Sequence, residues 1–278
     1  MAGTLYLVAT PIGNLGDISA RAIDILRRVD LIACEDTRHT RKLLNHLDIP
    51  AKLVSYHEHN ESERVQDLVR HLEEGKSVAI VSDAGTPGIS DPGYVAVKKA
   101  IERRIPVVPI PGSVAFVSAL IVSGLPTEAF FFGGFLPSKK AERVKRLREI
   151  AAIPATLVFY EAPHRLPASL ADCAAVLGDR QAAVVRELTK LHEEVVRNTL
   201  TELIDHFSKA KIRGEIVVVI DRNREGVPGP TPNKTLSERL SELERTGLDR
   251  KTALKAVAKE FGLSKPEAYR LIEVEKKR

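Results

Sequence analysis

Cysteine is nearly absent from this chain. Its 278 residues include only Cys34 and Cys173, too few for a disulfide framework, and that usage points to a reducing compartment. A membrane span is lacking too. The charge-free run 105–127 has the length for one, but Pro106, Pro109, Pro111 and Gly112 crowd its start, and Gly124 and Pro126 close its end. No charged n-region, long apolar h-region or cleavage site precedes residues 5–9, which already read as a strand. These absences predict a soluble, cytoplasmic protein.

What is present is enough apolar sequence, 44% of residues, for a core in each of two domains. The formal net charge is +5, and residues 228–278 hold twelve Lys or Arg against eight Asp or Glu. That places +4 on the carboxyl-terminal segment and leaves +1 for the first 227 residues. Such a basic appendage suits a polyanion, although a solvated helical surface gives the same bias.

The chain is organised around Val78-Ala79-Ile80-Val81, which runs into Ser82-Asp83-Ala84-Gly85-Thr86-Pro87-Gly88-Ile89-Ser90-Asp91-Pro92-Gly93. A buried strand here feeds a tight loop with a helix behind it, at 94–102. Open α/β sheets bind ligands at such loops. Its glycines permit positive φ and close backbone approach, while Pro87 and Pro92 stiffen it. The loop fits neither GxGxxG nor GxxxxGK[ST], so by itself it indicates a small-molecule site or a plain strand-to-helix connection.

Similar loops recur. Residues 5–9 lead into Thr10-Pro11-Ile12-Gly13-Asn14-Leu15-Gly16-Asp17 before a helix at 19–28. Residues 30–34 form a short strand that runs into Glu35-Asp36-Thr37-Arg38-His39. Asp36 or Thr37 can cap a helix there through residue 47, but capping leaves Arg38 and His39 unexplained, because cations are disfavoured in a first turn. A third strand at 52–55 precedes His57 and His59. These two are either a weak zinc candidate or part of a polar loop before a helix at 62–74 capped by Ser62. A fifth strand at 105–110 turns through Pro111-Gly112-Ser113-Val114-Ala115 into an apolar helix ending near Gly124. Five strands alternating with helices predict a parallel, doubly wound domain over 1–124.

The pattern changes after Gly124. Strands at 129–135, 156–160, 182–187, 193–200 and 215–220, with an exposed basic helix at 139–148 and helices at 167–177 and 201–208, predict a second α/β domain over 125–224. The short spacing between 187 and 193 implies a hairpin and so a mixed sheet. Residues 225–234, rich in Pro and Gly, read as a linker. Beyond them, 235–278 form a small module of three helices, either a helix-turn-helix or a structural cap.

Five motifs then carry a resemblance. Residues 10–18, Glu35-Asp36-Thr37-Arg38, residues 82–93, Phe159-Tyr160-Glu161-Ala162-Pro163-His164-Arg165 and Arg186-Glu187-Leu188-Thr189-Lys190 resemble, in order, the ribosomal RNA small-subunit methyltransferase I family, a branch of the tetrapyrrole methylase superfamily. The resemblance runs from residue 4 to about 221, and the tail matches more loosely. It implies a two-domain α/β methyltransferase, usually a homodimer, with S-adenosyl-L-methionine in the cleft between domains and no metal. The implied reaction is 2′-O-methylation of one cytidine in the decoding region of 16S rRNA, with the small ribosomal subunit as partner. By position, Thr10, Pro11 and Ile12 resemble the first cofactor-facing loop. Asp83, Ala84, Gly85, Thr86 and Pro87 resemble the loop that holds the methionine part, and Ser113, Val114 and Ala115 the small-residue turn after the fifth strand. Tyr160, Glu161, Leu188 and Glu215 match positions from which the second domain closes on the adenosine. Gly85-Thr86-Pro87 stands where tetrapyrrole enzymes resemble Gly-Asp-Pro, which weakens a tetrapyrrole substrate.

The chemistry has to align a ribose hydroxyl with an activated methyl and assist loss of its proton. Glu35, Asp36, Glu161 and Glu187 are candidate proton acceptors or orienting groups, and Arg38, Arg165, Arg186 and Lys190 candidate phosphate contacts. Each could instead be half of a structural ion pair. The rival functions are a methyltransferase of the same fold acting on a tetrapyrrole or other small molecule, and a non-catalytic RNA-binding assembly factor.

Overall fold

A computed structural model describes residues 2–208, 212–222, 236–245, 247–260, 263 and 265–275. The first half alternates strand and helix: β1 (Leu5–Val8), α1 (Ala20–Arg28), β2 (Leu31–Cys34), α2 (Thr37–His46), β3 (Leu53–Ser55), α3 (Glu61–Glu73), β4 (Val78–Val81), α4 (Tyr94–Glu102), β5 (Val107–Ile110) and α5 (Ala115–Val122). The strands form an all-parallel sheet in the order β3-β2-β4-β1-β5. It is covered on both faces, which is why its strands are continuously apolar rather than alternating. On β2, Leu31 and Ala33 join Val65, Leu68 and Ala100 from α3 and α4. Ile32 and Cys34 point the other way, onto Ala22, Leu26 and Leu44 from α1 and α2. The neighbouring strands β1 and β4 thus send their following helices to opposite faces, and this opens a crevice at their carboxyl ends.

The second half contains β6 (Phe130–Phe135), α6 (Lys140–Ile150), β7 (Thr156–Glu161), α7 (Leu166–Leu177), β8 (Gln181–Arg186), β9 (Glu194–Thr199), α8 (Leu200–Ser208) and β10 (Ile216–Ile220). Its sheet is mixed, in the order β6-β7-β10-β8-β9, with β6 and β7 parallel and the other pairs antiparallel. The expected hairpin is β8–β9. One face packs on α6, α7 and α8 through Leu147, Leu170 and Leu203. The other face, through Val158, Val185 and Val217, packs on Ala119 and Leu120 of α5. Arg197 of β9 adds a hydrogen bond to the Val122 carbonyl at the end of α5, at 3.1 Å.

The run 105–127 is therefore a strand followed by a helix of eight residues. Among the described residues no helix is long and apolar enough to cross a membrane. Three further helices, α9 (Leu236–Arg245), α10 (Arg250–Glu260) and α11 (Lys265–Glu275), pack on one another through Leu240, Leu254, Val257 and Ile272. The whole predicted linker, 225–234, together with Ser264, lies outside the described residues.

Two local expectations are corrected. Ser62 does not cap α3: the helix begins at Glu61 with Asn60 before it, because the His57 carbonyl already accepts the Asn60 and Glu61 amides in a tight turn. In that turn the His57 and His59 rings meet edge to face at 5.9 Å, and the Asn60 side chain contacts the His57 ring. The basic helix at 139–148 is not wholly exposed either. Arg143 of α6 is buried and ion-paired with Asp172 of α7 at 2.6 Å, because its guanidinium also finds the Pro137 and Ser138 carbonyls.

Candidate active-site cleft

Four loops meet at the carboxyl edge of the parallel sheet, and the loop after β4 is tied to each of the other three. Thr10, just past β1, exchanges backbone hydrogen bonds with Gly85 at 2.8 and 3.1 Å, and its buried hydroxyl donates to the Ser82 carbonyl. Thr86 donates to the Ser113 carbonyl in the loop after β5, at 3.3 Å. Asp83 accepts the Asp36 amide in the loop after β2, at 3.1 Å. Gly85 has φ 85°, a conformation that a side chain resists, so the bridge to Thr10 depends on glycine there.

Between this edge and the second sheet lies a cleft of about 360 Å³. From below, Ile12, Ala84, Gly85, Thr86, Val114 and Ala115 line it. Tyr160, Glu161, Leu188 and Glu215 close it from the second sheet. Ten of the fifteen predicted cofactor residues thus come together, with Ile12 and Glu215 counted here. Thr10, Pro11 and Asp83 border a second cleft, and Pro87 and Ser113 line neither. Phe135, whose ring lies 5.5 Å from Tyr160, and Asp91, part of the organising loop, also line this cleft, although neither was among the predicted cofactor residues.

Charge in this cleft is entirely acidic. Glu161 is buried, accepts the Ala162 amide at 2.8 Å and the Ser169 hydroxyl, and pairs with Arg165 at 3.2 Å. Burial, with the Glu35 and Asp83 carboxylates nearby, pushes Asp91 up to about 6. Burial likewise raises the Tyr160 phenol. Aliphatic and aromatic walls suit an adenine ring, and carboxylates suit ribose hydroxyls, an ammonium and a sulfonium. The residues present therefore fit S-adenosylmethionine.

A second cleft, of about 290 Å³, adjoins the first and shares Ile12, Ala84 and Glu215 with it. Its other walls include Thr10, Pro11 and Asp83, with His39 and Lys42 of α2 and Lys190 from the β8–β9 loop. Lys190 binds Glu187 at 2.9 Å and Glu215 at 3.1 Å. Burial works against its charge, but these two partners outweigh it and hold the ammonium above its ordinary pKa.

The five predicted catalytic residues line neither cleft. Asp36 caps α2 and binds Arg38 at 2.7 Å, so the hydrogen bonds from Arg38 hold its carboxyl far below the usual range. Glu35 is half-buried and raised, first by desolvation and then by Asp83. Arg186 grips Glu194 with two hydrogen bonds, at 2.9 and 2.7 Å. Glu187 is lowered by Lys190 and by the Glu215 amide.

Residues 4–204 match the tetrapyrrole (corrin/porphyrin) methylase family. The chain belongs to this family. Within it the chain is 49% identical, over 275 residues, to ribosomal RNA small subunit methyltransferase I of Halalkalibacterium halodurans, covering 97% of this chain and 94% of that one. It is 45% identical over 271 residues to the protein of the same name from Bacillus subtilis, covering 96% and 93%. These identities place it in the ribosomal RNA small subunit methyltransferase I branch of the tetrapyrrole methylases. The fold is shared with diphthine synthase, at TM-score 0.62 and 15% identity over 79% of this chain and 90% of that one. It is also shared with uroporphyrin-III C-methyltransferase from Thermus thermophilus complexed with S-adenyl homocysteine, at TM-score 0.55 and 20% identity over 79% and 97%.

Proposed function

We propose that this tetrapyrrole methylase transfers the methyl group of S-adenosylmethionine to the 2′-hydroxyl of a cytidine in the decoding region of 16S rRNA. The observation that carries the reading is the pair of clefts meeting at Ile12, Ala84 and Glu215, which gives a donor and an acceptor separate walls and one junction. The names of the relatives supply rRNA as the acceptor class. When bound, the cofactor supplies a methyl on positively charged sulfur that leaves as a neutral thioether.

The chain's own residues bind, orient and neutralise. The loop 83–87 holds the methionine part through its backbone, while Tyr160, Leu188 and Val114 enclose the adenosine. Glu161, fixed by Ser169 and Arg165, serves as a hydrogen-bond acceptor. Asp36 and Glu187 are committed to their cationic partners, so neither suits a general base, which works best with a pKa near the operating pH. Arg38, 87% exposed, serves as a phosphate contact at the rim, since an exposed ion pair yields readily to another anion. Arg186 is a clamp between β8 and β9.

The protein acts in the cytoplasm as a homodimer. Exposed Val117 and Ile121 on α5 and Phe130 on β6, whose ring lies 6.1 Å from that of Phe116, support a covered apolar face. Labelled S-adenosylmethionine incubated with small ribosomal subunits, free 16S rRNA or a tetrapyrrole precursor tests the reading. Label at a ribose 2′-oxygen of cytidine supports it, and label on the tetrapyrrole alone refutes it.

A further inference from the structure

The two clefts differ in charge. Among the described residues no Lys, Arg or His lines the first, whereas the second has His39, Lys42 and Lys190. Lys190 is not free to bind an anion, because Glu187 and Glu215 already hold its ammonium. Its stem serves as a wall, lying so close to Gly13 that a Cβ added there would come within 2.5 Å of the Lys190 Cγ. His39 and Lys42 are three apart on α2 and so project from one face. Both are exposed, and neither forms an ion pair with a described residue. Asp36 fixes their position, because its side chain caps α2 and its amide is bound to Asp83. Asp83, the remaining carboxylate of this cleft beside Glu215, spends one oxygen on that amide.

We propose that the second cleft is the acceptor subsite, taking one unstacked nucleotide of single-stranded RNA whose phosphate is bound by Lys42 and His39. The ribose then lies toward Ile12, Ala84 and Glu215, where the cleft opens on the donor side. This rests on the RNA methyltransferase reading above and assigns that reaction's substrate contacts. At about 290 Å³ the cleft is near the lower limit of small-ligand sites. It therefore admits a single nucleotide and excludes a paired stem, so the target must be flipped or already unpaired. The cationic walls also separate the two ligands: a polyanion is repelled by Asp91 and Glu161 in the first cleft and held by His39 and Lys42 in the second.

The test uses the full-length protein with Lys42→Ala, Lys42→Arg and His39→Gln variants. Cofactor affinity is measured by calorimetry. Affinity for small ribosomal subunits is measured at two salt concentrations with S-adenosylhomocysteine present, and KM and kcat for the RNA are measured separately. Lys42→Ala is expected to keep cofactor affinity, weaken subunit binding and raise KM about tenfold. It should also reduce the salt slope by about 0.7 to 0.9, the value of one phosphate contact. Lys42→Arg should recover most of the loss, and His39→Gln should show a smaller effect of the same kind. If the parent methylates rRNA while Lys42→Ala and His39→Gln keep its KM and salt slope, the subsite is overturned and the function stands. A parent that methylates no RNA overturns the function itself.

Discussion

Gly85 carries two constraints, a positive φ of 85° and the bridge to Thr10. A built Cβ would meet only ordinary contacts, with Ile12 at 3.5 Å and the Ser113 carbonyl at 3.7 Å, so the direction a larger side chain has left is the cleft. Gly85→Val is expected to abolish S-adenosylmethionine binding in calorimetry and to destabilise the fold by about 1–3 kcal/mol through its backbone. Gly178 has nearly the same φ, 83°, with nothing within 4 Å. Gly178→Val therefore carries the strain alone and should bind cofactor normally. Equal loss in both variants would show that strain, not cleft filling, was the cause.

Asp91 provides the pH prediction. Its folded pKa, about 6, lies above the ordinary value of 3.8, so the folded state holds the proton more tightly. The associated stability is present below about pH 4 and is lost as pH rises through 6. Asp91→Asn should remove that loss. The stability of the variant relative to the parent, read from melting curves, is expected to rise between pH 4 and pH 7.5 by an amount of order 1 kcal/mol once the side chain's partial exposure is discounted. A flat difference across this range would refute the burial argument. Asp91 stood within a motif already singled out, yet its role was not legible there. What marks it is its burial and the approach of Glu35 from the loop after β2, which only the folded sheet brings about.

At the scale of elements, β1, β2 and β4 were legible because burial on both faces leaves them continuously apolar. Helices α4 and α5 were legible from their turn residues. The start of α3 was not, because a turn at His57 rather than a serine cap sets it. Nor was the inward face of α6, since Arg143 is matched by Asp172 twenty-nine positions away. Truncating Arg143 to Ala would leave the buried Asp172 carboxylate with only the exposed Lys140, 3.8 Å away, as a cationic partner. The expected cost is about 3–5 kcal/mol, read as a lower denaturant midpoint at unchanged slope. A change below about 1 kcal/mol would mean that water reaches the carboxylate. Lys42 escaped notice for a related reason: within α2 it is one more exposed cation, and it becomes part of a cleft only where α2 meets the Thr10 loop.

At the scale of the whole molecule, the carboxyl-terminal helices have a core of their own, and the basic bias of residues 228–278 predicts that they add affinity for RNA. Truncation after Asn223 is expected to leave a folded protein that binds S-adenosylmethionine normally. That protein should bind small subunits more weakly and with a shallower salt dependence, because fewer counterions are released. An unchanged salt slope together with a lowered melting temperature or a dissociated dimer would make the helices a structural cap instead. The overall architecture was legible because the loops and strands recur in order, whereas the division of charge between two adjoining clefts was not, since each draws on four or more separate segments.

Helix α5 has a consequence for how this protein can be taken apart. In the order of the chain it completes the first sheet's alternation of strand and helix, yet Ala119 and Leu120 are buried against Val158, Val185 and Val217 of the second sheet. A fragment ending at Gly124 would expose that helix's inner side to water, and the remainder would begin with one face of its sheet bare. The two halves therefore resemble clasped hands more than beads on a string. Produced separately, each should be poorly soluble, and mixing them should restore a folded complex to the extent that α5 finds its bed.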